Sequence, residues 1–293
     1  MMLYKLKYII YIDFKMEFIV EKIRNGEFKN IVVCSGAGVS TNSGIPDYRS
    51  DDGLFAQFSE IYPGYEPSEI FSRSFRDNNP DIIENEEYIN FINLITKADP
   101  TPSHNLCKWF HDKGWLKRVY TQNIDRLYLK TGLPKNKVVE FHGYIHKNDD
   151  GSIEDKVVLY GDDIPDHIEN YIVDDFIKNY EEDNSSVDLM IVMGTSLQVA
   201  PFCAIPNIVN KSCTRLLVDI NPENAYNNLY NKQVNIGYYT SSYDHIKTWT
   251  TFGHNSNKRK VSLTPQWNKN NGKWKKQYII ESDCDVFSEL IMK

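Results

Sequence analysis

The chain has 293 residues, 41% of them hydrophobic, and a net charge of -7. That length supports a full-sized core, and the acidic balance argues against a protein built mainly to coat nucleic acid, whose phosphates want a cationic surface. Five scattered cysteines (Cys34, Cys107, Cys203, Cys213 and Cys284) include no C-x-x-C pair, which suits a reducing, intracellular setting, nucleus or cytoplasm, better than a disulfide framework.

Residues 1–20 are apolar and aromatic but carry Lys5, Lys7, Asp13, Lys15 and Glu17. The segment is too charged to span a bilayer and has no small-residue cleavage site, so no membrane partner is expected. Residues 1–15 read as an N-terminal extension, and residues 16–293 as one domain. Residues 16–26 place Phe18, Ile19 and Ile23 at helical spacing, ended by Asn25-Gly26. A short apolar run, 31–34, opens into Ser35-Gly36-Ala37-Gly38-Val39-Ser40, the order of a first strand and phosphate loop. Residues 55–98 have helical periods, break at Asp99-Pro100-Thr101-Pro102, and read as a small helical insertion.

Strands are expected at 119–120, 138–141, 157–160, 188–193 and 215–220, several of them followed by a polar or glycine turn. Buried strands of this kind predict an α/β fold: a Rossmann-like parallel sheet with helices on both faces and ligands collected at the strand carboxyl ends. Beyond Ile236 the pattern weakens. Asn271-Gly272, between Trp267 and Trp274, signals a hairpin, and 286–292 a closing helix.

Gly36-x-Gly38 lacks the third glycine of G-x-G-x-x-G, since position 41 is Thr, and a plain strand-to-helix turn would explain it equally well. The continuation Gly44-Ile45-Pro46-Asp47-Tyr48-Arg49-Ser50 adds an arginine whose planar donor fork suits phosphate charge. Gln122, Asn123 and Asp125 follow a strand and would project at the ligand edge, although Asn and Asp more often cap a helix. His142-Gly143 also follows a strand. A lone histidine is more often structural than catalytic, yet at such a strand end its ordinary pKa suits a general base.

Together these segments resemble the sirtuin (Sir2-like) family of NAD-dependent protein deacetylases, from about residue 30 to 223. The motifs are GAGVS at 36–40, GIPDYR at 44–49, TQNID at 121–125, HG at 142–143, VVLYGD at 157–162, GTSLQVAPF at 194–202 and IN at 220–221, with an echo at Asp283-Cys284-Asp285. The resemblance implies an acyl-transferring enzyme that takes acetyl from protein lysines and yields nicotinamide, free lysine and O-acyl-ADP-ribose. It implies that Gly36, Ala37, Gly38 and Ser40 hold the pyrophosphate region, helped by a helix N-terminus, and that Asp47, Tyr48 and Arg49 form a loop over NAD. It further implies that Gln122, Asn123 and Asp125 line the nicotinamide and ribose pocket, with His142 as general base. Gly194, Thr195, Ser196, Asn221, Pro222 and Glu223 would hold the adenosine half, closed by Cys284 and Val286. Val158 and Tyr160 would pair with the acylated peptide as an added strand, a main-chain mode with loose sequence preference.

Two departures stand out. Sirtuins carry two C-x-x-C pairs between the histidine and the substrate strand. Here residues 144–156 contain no cysteine, so the zinc ribbon reads as deleted and no structural zinc is expected. His146 with Asp149, Asp150, Glu154 and Asp155 reads as a solvated acidic turn rather than a metal site. The second departure lies within 237–280, an atypical insertion: from 245 to 280 there is no Asp or Glu, seven lysines and Arg259 are interleaved with Trp249, Trp267 and Trp274, and a weak nucleic-acid or chromatin contact stands beside a lysine-covered hairpin as its reading. After the Asp-Tyr-Arg loop there is no Tyr-x-x-Arg pair of the kind that marks a preference for acidic acyl groups, so an uncharged acyl group is expected. Two other functions remain open on the sequence: an NAD hydrolase or ADP-ribosyltransferase using the same pocket, and a non-catalytic NAD-sensing module. Retention of Asn123, Asp125 and His142 together counts against the last.

Overall fold

The computed structural model describes residues 16–177, 187–209, 213–225 and 277–293, with four short strand segments between the last two stretches. Strands β1 (Ile31–Ser35), β2 (Leu116–Thr121), β3 (Val138–Glu140), β6 (Leu189–Met193), β7 (Thr214–Asp219) and β12 (Gln277–Glu281) form one sheet in the order β12-β7-β6-β1-β2-β3. Every pairing in it is parallel. The remaining strands are the hairpin β4 (Ile145–Lys147) with β5 (Ile153–Asp155) and the short segments β8 (Asn235–Gly237), β9 (Thr240–Ser241), β10 (His245–Ile246) and β11 (Lys260–Ser262).

The central strands are apolar throughout because both sheet faces are covered. Successive residues alternate between two cores. Ile31, Val33, Val119, Leu189, Ile191 and Val218 pack with Ile19, Leu106, Phe110 and Phe287 from α1 (16–24), α6 (Pro102–Asp112) and α10 (Cys284–Met292). Val32, Cys34, Met190, Val192 and Leu217 face Ile168, Ile172 and Phe202 on the other side, where α8 (Asp166–Ile172) and a 3-10 segment (Phe202–Asn207) lie. The expected sheet with helices on both faces is present.

Helices α2 (Leu54–Ile61), α3 (Pro67–Ile70), α4 (Arg73–Asn78) and α5 (Glu86–Lys97) build a third core from Leu54, Phe58, Phe75, Ile92 and Ile95. Ile124, Leu127 and Ile145 join it from the sheet side. Helix α6 starts where the sequence breaks: Thr101 caps it, Pro102 occupies the first turn, and the His104 side chain returns to the Thr101 amide in a capping box.

Two local expectations are corrected, and one strand is new. The glycine loop runs into two 3-10 turns, Ala37–Val39 and Thr41–Ser43, rather than an α-helix, because Gly44 in a left-handed conformation ends the second turn. Residues 157–160 form no strand: each amide finds a local or loop partner, and a single parallel bridge joins Ser72 and Tyr160. Edge strand β12, in a stretch without clear periodicity, was not anticipated. The expected hairpin at Asn271-Gly272 and nearly all of the basic stretch 237–280 lie outside the described residues. So do residues 1–15.

Candidate active site

The sheet reverses its strand order between β1 and β6, since the chain continues from β1 through β2 and β3 on one side and places β6, β7 and β12 on the other. Ligands of open α/β sheets collect at the carboxyl ends of strands at such a switch point. A cleft of roughly 1020 Å³ opens there. The loops after β1 and β6 meet so closely that a Cβ on Gly38 would lie 2.8 Å from the Gly194 Cα, and one on Gly194 would lie 2.6 Å from the Val39 amide nitrogen. Gly194 also has φ +59. Glycine is required at these positions by contact, and at 194 by backbone sign as well.

Below the cleft floor lies a buried polar cluster. The Ser40 hydroxyl donates to Asp125 Oδ2 at 2.7 Å and accepts from the Asn123 side-chain amide at 2.9 Å. Asp125 Oδ1 accepts the Leu127 amide at 2.9 Å, so the carboxylate also caps α7 (Leu127–Lys130). Beneath Ser40, His104 Nδ1 accepts the Thr101 amide at 3.1 Å, which places the ring proton on Nε2, 3.5 Å from the Ser40 oxygen. Burial lowers His104 to about 4, so its ring is neutral near pH 7. Gln122 is tied to the β6 loop through Thr195 Oγ1 at 2.7 Å.

His142 reaches the same cleft from the β3 side. Burial lowers it to about 4, opposed by a hydrogen bond with the Gln122 backbone. The uncharged ring therefore keeps a nitrogen lone pair available near neutrality. Gly143 beside it has φ +72, and a Cβ there would fall 1.8 Å from the Lys156 carbonyl oxygen.

The structure brings Gly36, Ala37, Gly38, Asp47, Tyr48, Arg49, Gln122, Asn123, His142, Val158, Tyr160, Gly194, Thr195, Ser196, Asn221 and Cys284 to the cleft wall. Ser40 and Asp125 lie just behind it, buried and in contact with Asn123 or its hydrogen-bond partner. Pro222, Glu223 and Val286 are not on the wall. Val286 is 55% exposed on α10, because helical spacing turns it away from Cys284. Several wall or brace residues fell outside the sequence reading. Phe55 and Phe71 hold the Asp-Tyr-Arg loop: Tyr48 packs edge-on against both rings, and Arg49 lies over Phe55 at 5.0 Å. Asp219 lines the far end and accepts the Asn221 amide at 2.8 Å. Thr101 and His104 carried a readable capping signal, but nothing in sequence placed that cap under Ser40.

The interval 144–156 folds as hairpin β4–β5. Among the described residues no group of three or more His, Cys, Asp or Glu side chains is arranged to hold a metal. The hairpin is anchored by protein contacts: Asp155 accepts from Tyr88 at 2.5 Å and from Arg76 at 3.1 Å, and the next segment is pinned by the Arg73 fork on Asp162, two bonds of 2.8 Å.

Residues 36–151 match the family model described as the Sir2 family. The NAD-dependent protein deacetylase HST2 of Candida albicans is 34% identical over 224 residues, 69% of this chain and 65% of its own length. A solved structure described as "Structural Basis for the Mechanism and Regulation of Sir2 Enzymes" superposes with a TM-score of 0.54 at 26% identity, covering 71% of this chain and 87% of that one. The NAD-dependent protein deacetylase sir-2.1 of Caenorhabditis briggsae is similar at 34% identity over 223 residues, 65% of this chain. The chain spans 34% of that relative's length and less than two thirds of the Candida relative's. Among the described residues, no helix is long and apolar enough to cross a membrane.

Proposed function

We propose that this chain is an NAD-dependent protein-lysine deacetylase, releasing nicotinamide and passing acetyl from lysine to ADP-ribose. One observation carries the reading: a neutral His142 and an Asn123 braced from behind by Ser40 and Asp125 converge on one cleft at the switch point of the sheet. The sirtuin relatives are named for that activity, and a cleft of roughly 1020 Å³ has room for a dinucleotide beside a lysine side chain.

The residues fit NAD. Gly36, Ala37 and Gly38 offer backbone without side chains toward a pyrophosphate, and Arg49 adds a cation that no carboxylate among the described residues pairs with. Thr195, Ser196, Asp219 and Asn221 line the end assigned to the adenosine half. When bound, NAD supplies an electrophilic ribose carbon and nicotinamide as leaving group. Around it, Asn123 presents a side-chain amide whose orientation is fixed in advance by Ser40, with the Asp125 carboxylate behind both, so little reorganisation is needed where positive charge develops on the sugar. His142 accepts a hydroxyl proton, which its neutral ring allows near neutrality.

Substrate contact through Val158 and Tyr160 takes a restricted form. The four amides from Val157 to Tyr160 are already bonded, to Asp155, His142, Asp162 and Phe71. A peptide laid alongside meets the Val157 and Val158 carbonyls, those of Leu159 and Tyr160 already accepting the Asp162 and Arg73 amides, so its own amides make the contact. The partner is an acetylated protein segment, and the compartment that supplies one is intracellular.

The test is nicotinamide release by the purified chain with and without an acetyl-lysine peptide, beside His142→Ala. Peptide-dependent release with acetyl on ADP-ribose, lost in the variant, is expected. Release independent of peptide would make the chain an NAD hydrolase instead.

A further inference from the structure

Arg126 directly follows Asp125 and holds a left-handed backbone, φ 59° and ψ 18°. A non-glycine residue is strained in that conformation, and among the described residues Arg126 is not one of those lining the cleft. The bend instead sends the guanidinium across to the loop that carries His142. Arg126 Nε lies 3.4 Å from Glu140 Oε1, two residues before His142. The guanidinium also sits 4.1 Å from the ring centroid of Tyr144, two residues after it. Tyr144 continues the chain of contacts by donating to Glu154 of β5 at 3.0 Å.

The backbone runs the same connection. The Ile145 amide donates to the Ile124 carbonyl at 2.9 Å, the Gly143 amide to the Glu140 carbonyl at 3.0 Å, and the Val158 amide to the His142 carbonyl at 2.9 Å. Ion pair and cation–π contact are both largely shielded, the Arg126 and Glu140 side chains being 14% and 15% exposed. One guanidinium thus grips the His142 loop on both flanks, from a position fixed to Asp125 by a single peptide bond.

We propose that Arg126 is a positioning residue that sets the placement of His142 relative to Asp125, acting through Glu140 and Tyr144. The proposal rests on the roles given to those two residues under Proposed function. Acid should loosen the grip before it protonates His142. Burial holds the Glu140 carboxyl up, to about 7, with Arg126 and Lys135 pulling it down and Asp125 pushing it further up; Tyr144 is the other titratable group facing it. Below that point the carboxyl is neutral and the ion pair is lost.

The experiment uses the full chain and three variants, Arg126→Gly, Arg126→Lys and Glu140→Gln. Glycine accepts the positive φ, so Arg126→Gly removes the guanidinium while relieving the backbone and leaves the fold in place. Peptide-dependent nicotinamide release is expected to fall about 10- to 100-fold in kcat for Arg126→Gly, with KM for NAD within about two-fold. Arg126→Lys, which keeps charge but not the planar stack, is expected to restore part of it. Glu140→Gln should abolish the limb near pH 7 in the kcat profile. The His142 ring resonance, assigned with His142→Ala and followed by NMR, is expected to shift in both Arg126→Gly and Glu140→Gln. Unchanged kcat for Arg126→Gly in an active protein overturns the proposal, as does an unmoved His142 resonance. Absence of nicotinamide release by the unmodified chain would instead overturn the functional reading, while the resonance still decides the placement of His142.

Discussion

The two walls of the cleft are held by different physics. On the sheet wall, glycines 38 and 194 bring backbones into contact, and Ser40, Asn123, Asp125 and His104 form a hydrogen-bonded cluster out of water. On the opposite wall, aromatic edges tie the Asp-Tyr-Arg loop to the helical region, and the partly exposed Arg76–Asp155 and Arg73–Asp162 pairs tie hairpin β4–β5 and the segment after it to helix α4. Buried hydrogen bonds are costly to leave half-made, whereas exposed ion pairs contribute little and fade in salt. The sheet wall is therefore expected to be rigid and acid-sensitive, and the helical wall adjustable and salt-sensitive. That division suits a site that must hold one ligand in register while admitting another.

The sharpest way to break the contrast is at Gly143, where the two walls touch. Gly143→Ala forces a Cβ to within 1.8 Å of the Lys156 carbonyl, and a loss of about 4 kcal/mol or more is expected in urea unfolding. Gly151→Ala, also at positive φ but with open space around it, should cost only about 1 kcal/mol. Equal losses would show that backbone sign, not contact between walls, sets the requirement at 143.

Ser40→Ala removes the hydroxyl on which Asn123, Asp125 and His104 converge. About 3 kcal/mol of stability should go with it, since buried partners are left unsatisfied, together with peptide-dependent nicotinamide release. A variant that keeps both would show that the brace is dispensable.

Acid should loosen the sheet wall through His104. Its folded pKa, about 4, lies below the 6.5 of the unfolded chain, so the unfolded state takes up the proton first and stability falls as pH drops from 6.5 toward 4. Integration gives a loss of about 2 kcal/mol between pH 7 and pH 5 from this ring, read from urea midpoints. His104→Gln should flatten that part of the dependence.

The smallest effect is expected on the helical wall. Arg73→Ala breaks a bidentate pair whose arginine is 44% exposed, and about 0.5 kcal/mol should be lost. Its signature is salt dependence: unmodified chain and variant should converge in urea midpoint at 1 M salt. A difference that persists there would mean that packing of the Arg73 stem, not charge, holds the segment.

By itself the sequence determined the sheet and the ligand edge. Strands such as 189–193 are continuous apolar runs, and runs that short and that apolar have to be buried on both faces, which implies a parallel sheet with glycine and amide loops at its carboxyl ends. The wall residues Gly36, Gly38, Gln122, Asn123, His142 and Gly194 were legible for the same reason: they follow strands at fixed offsets. Tertiary structure decided what sits behind them. His104 reaches Ser40 across 64 residues, Glu140 reaches Arg126 across 14, and Asp155 reaches Tyr88 across 67; no periodicity reports a pairing of that kind, because a buried polar contact depends on where two backbones cross. The residues 157–160 make the same point in reverse. Their apolar run reads as a strand, yet a strand needs a neighbour with free amides and carbonyls, and the fold had already given their amides to His142, Phe71 and two aspartates.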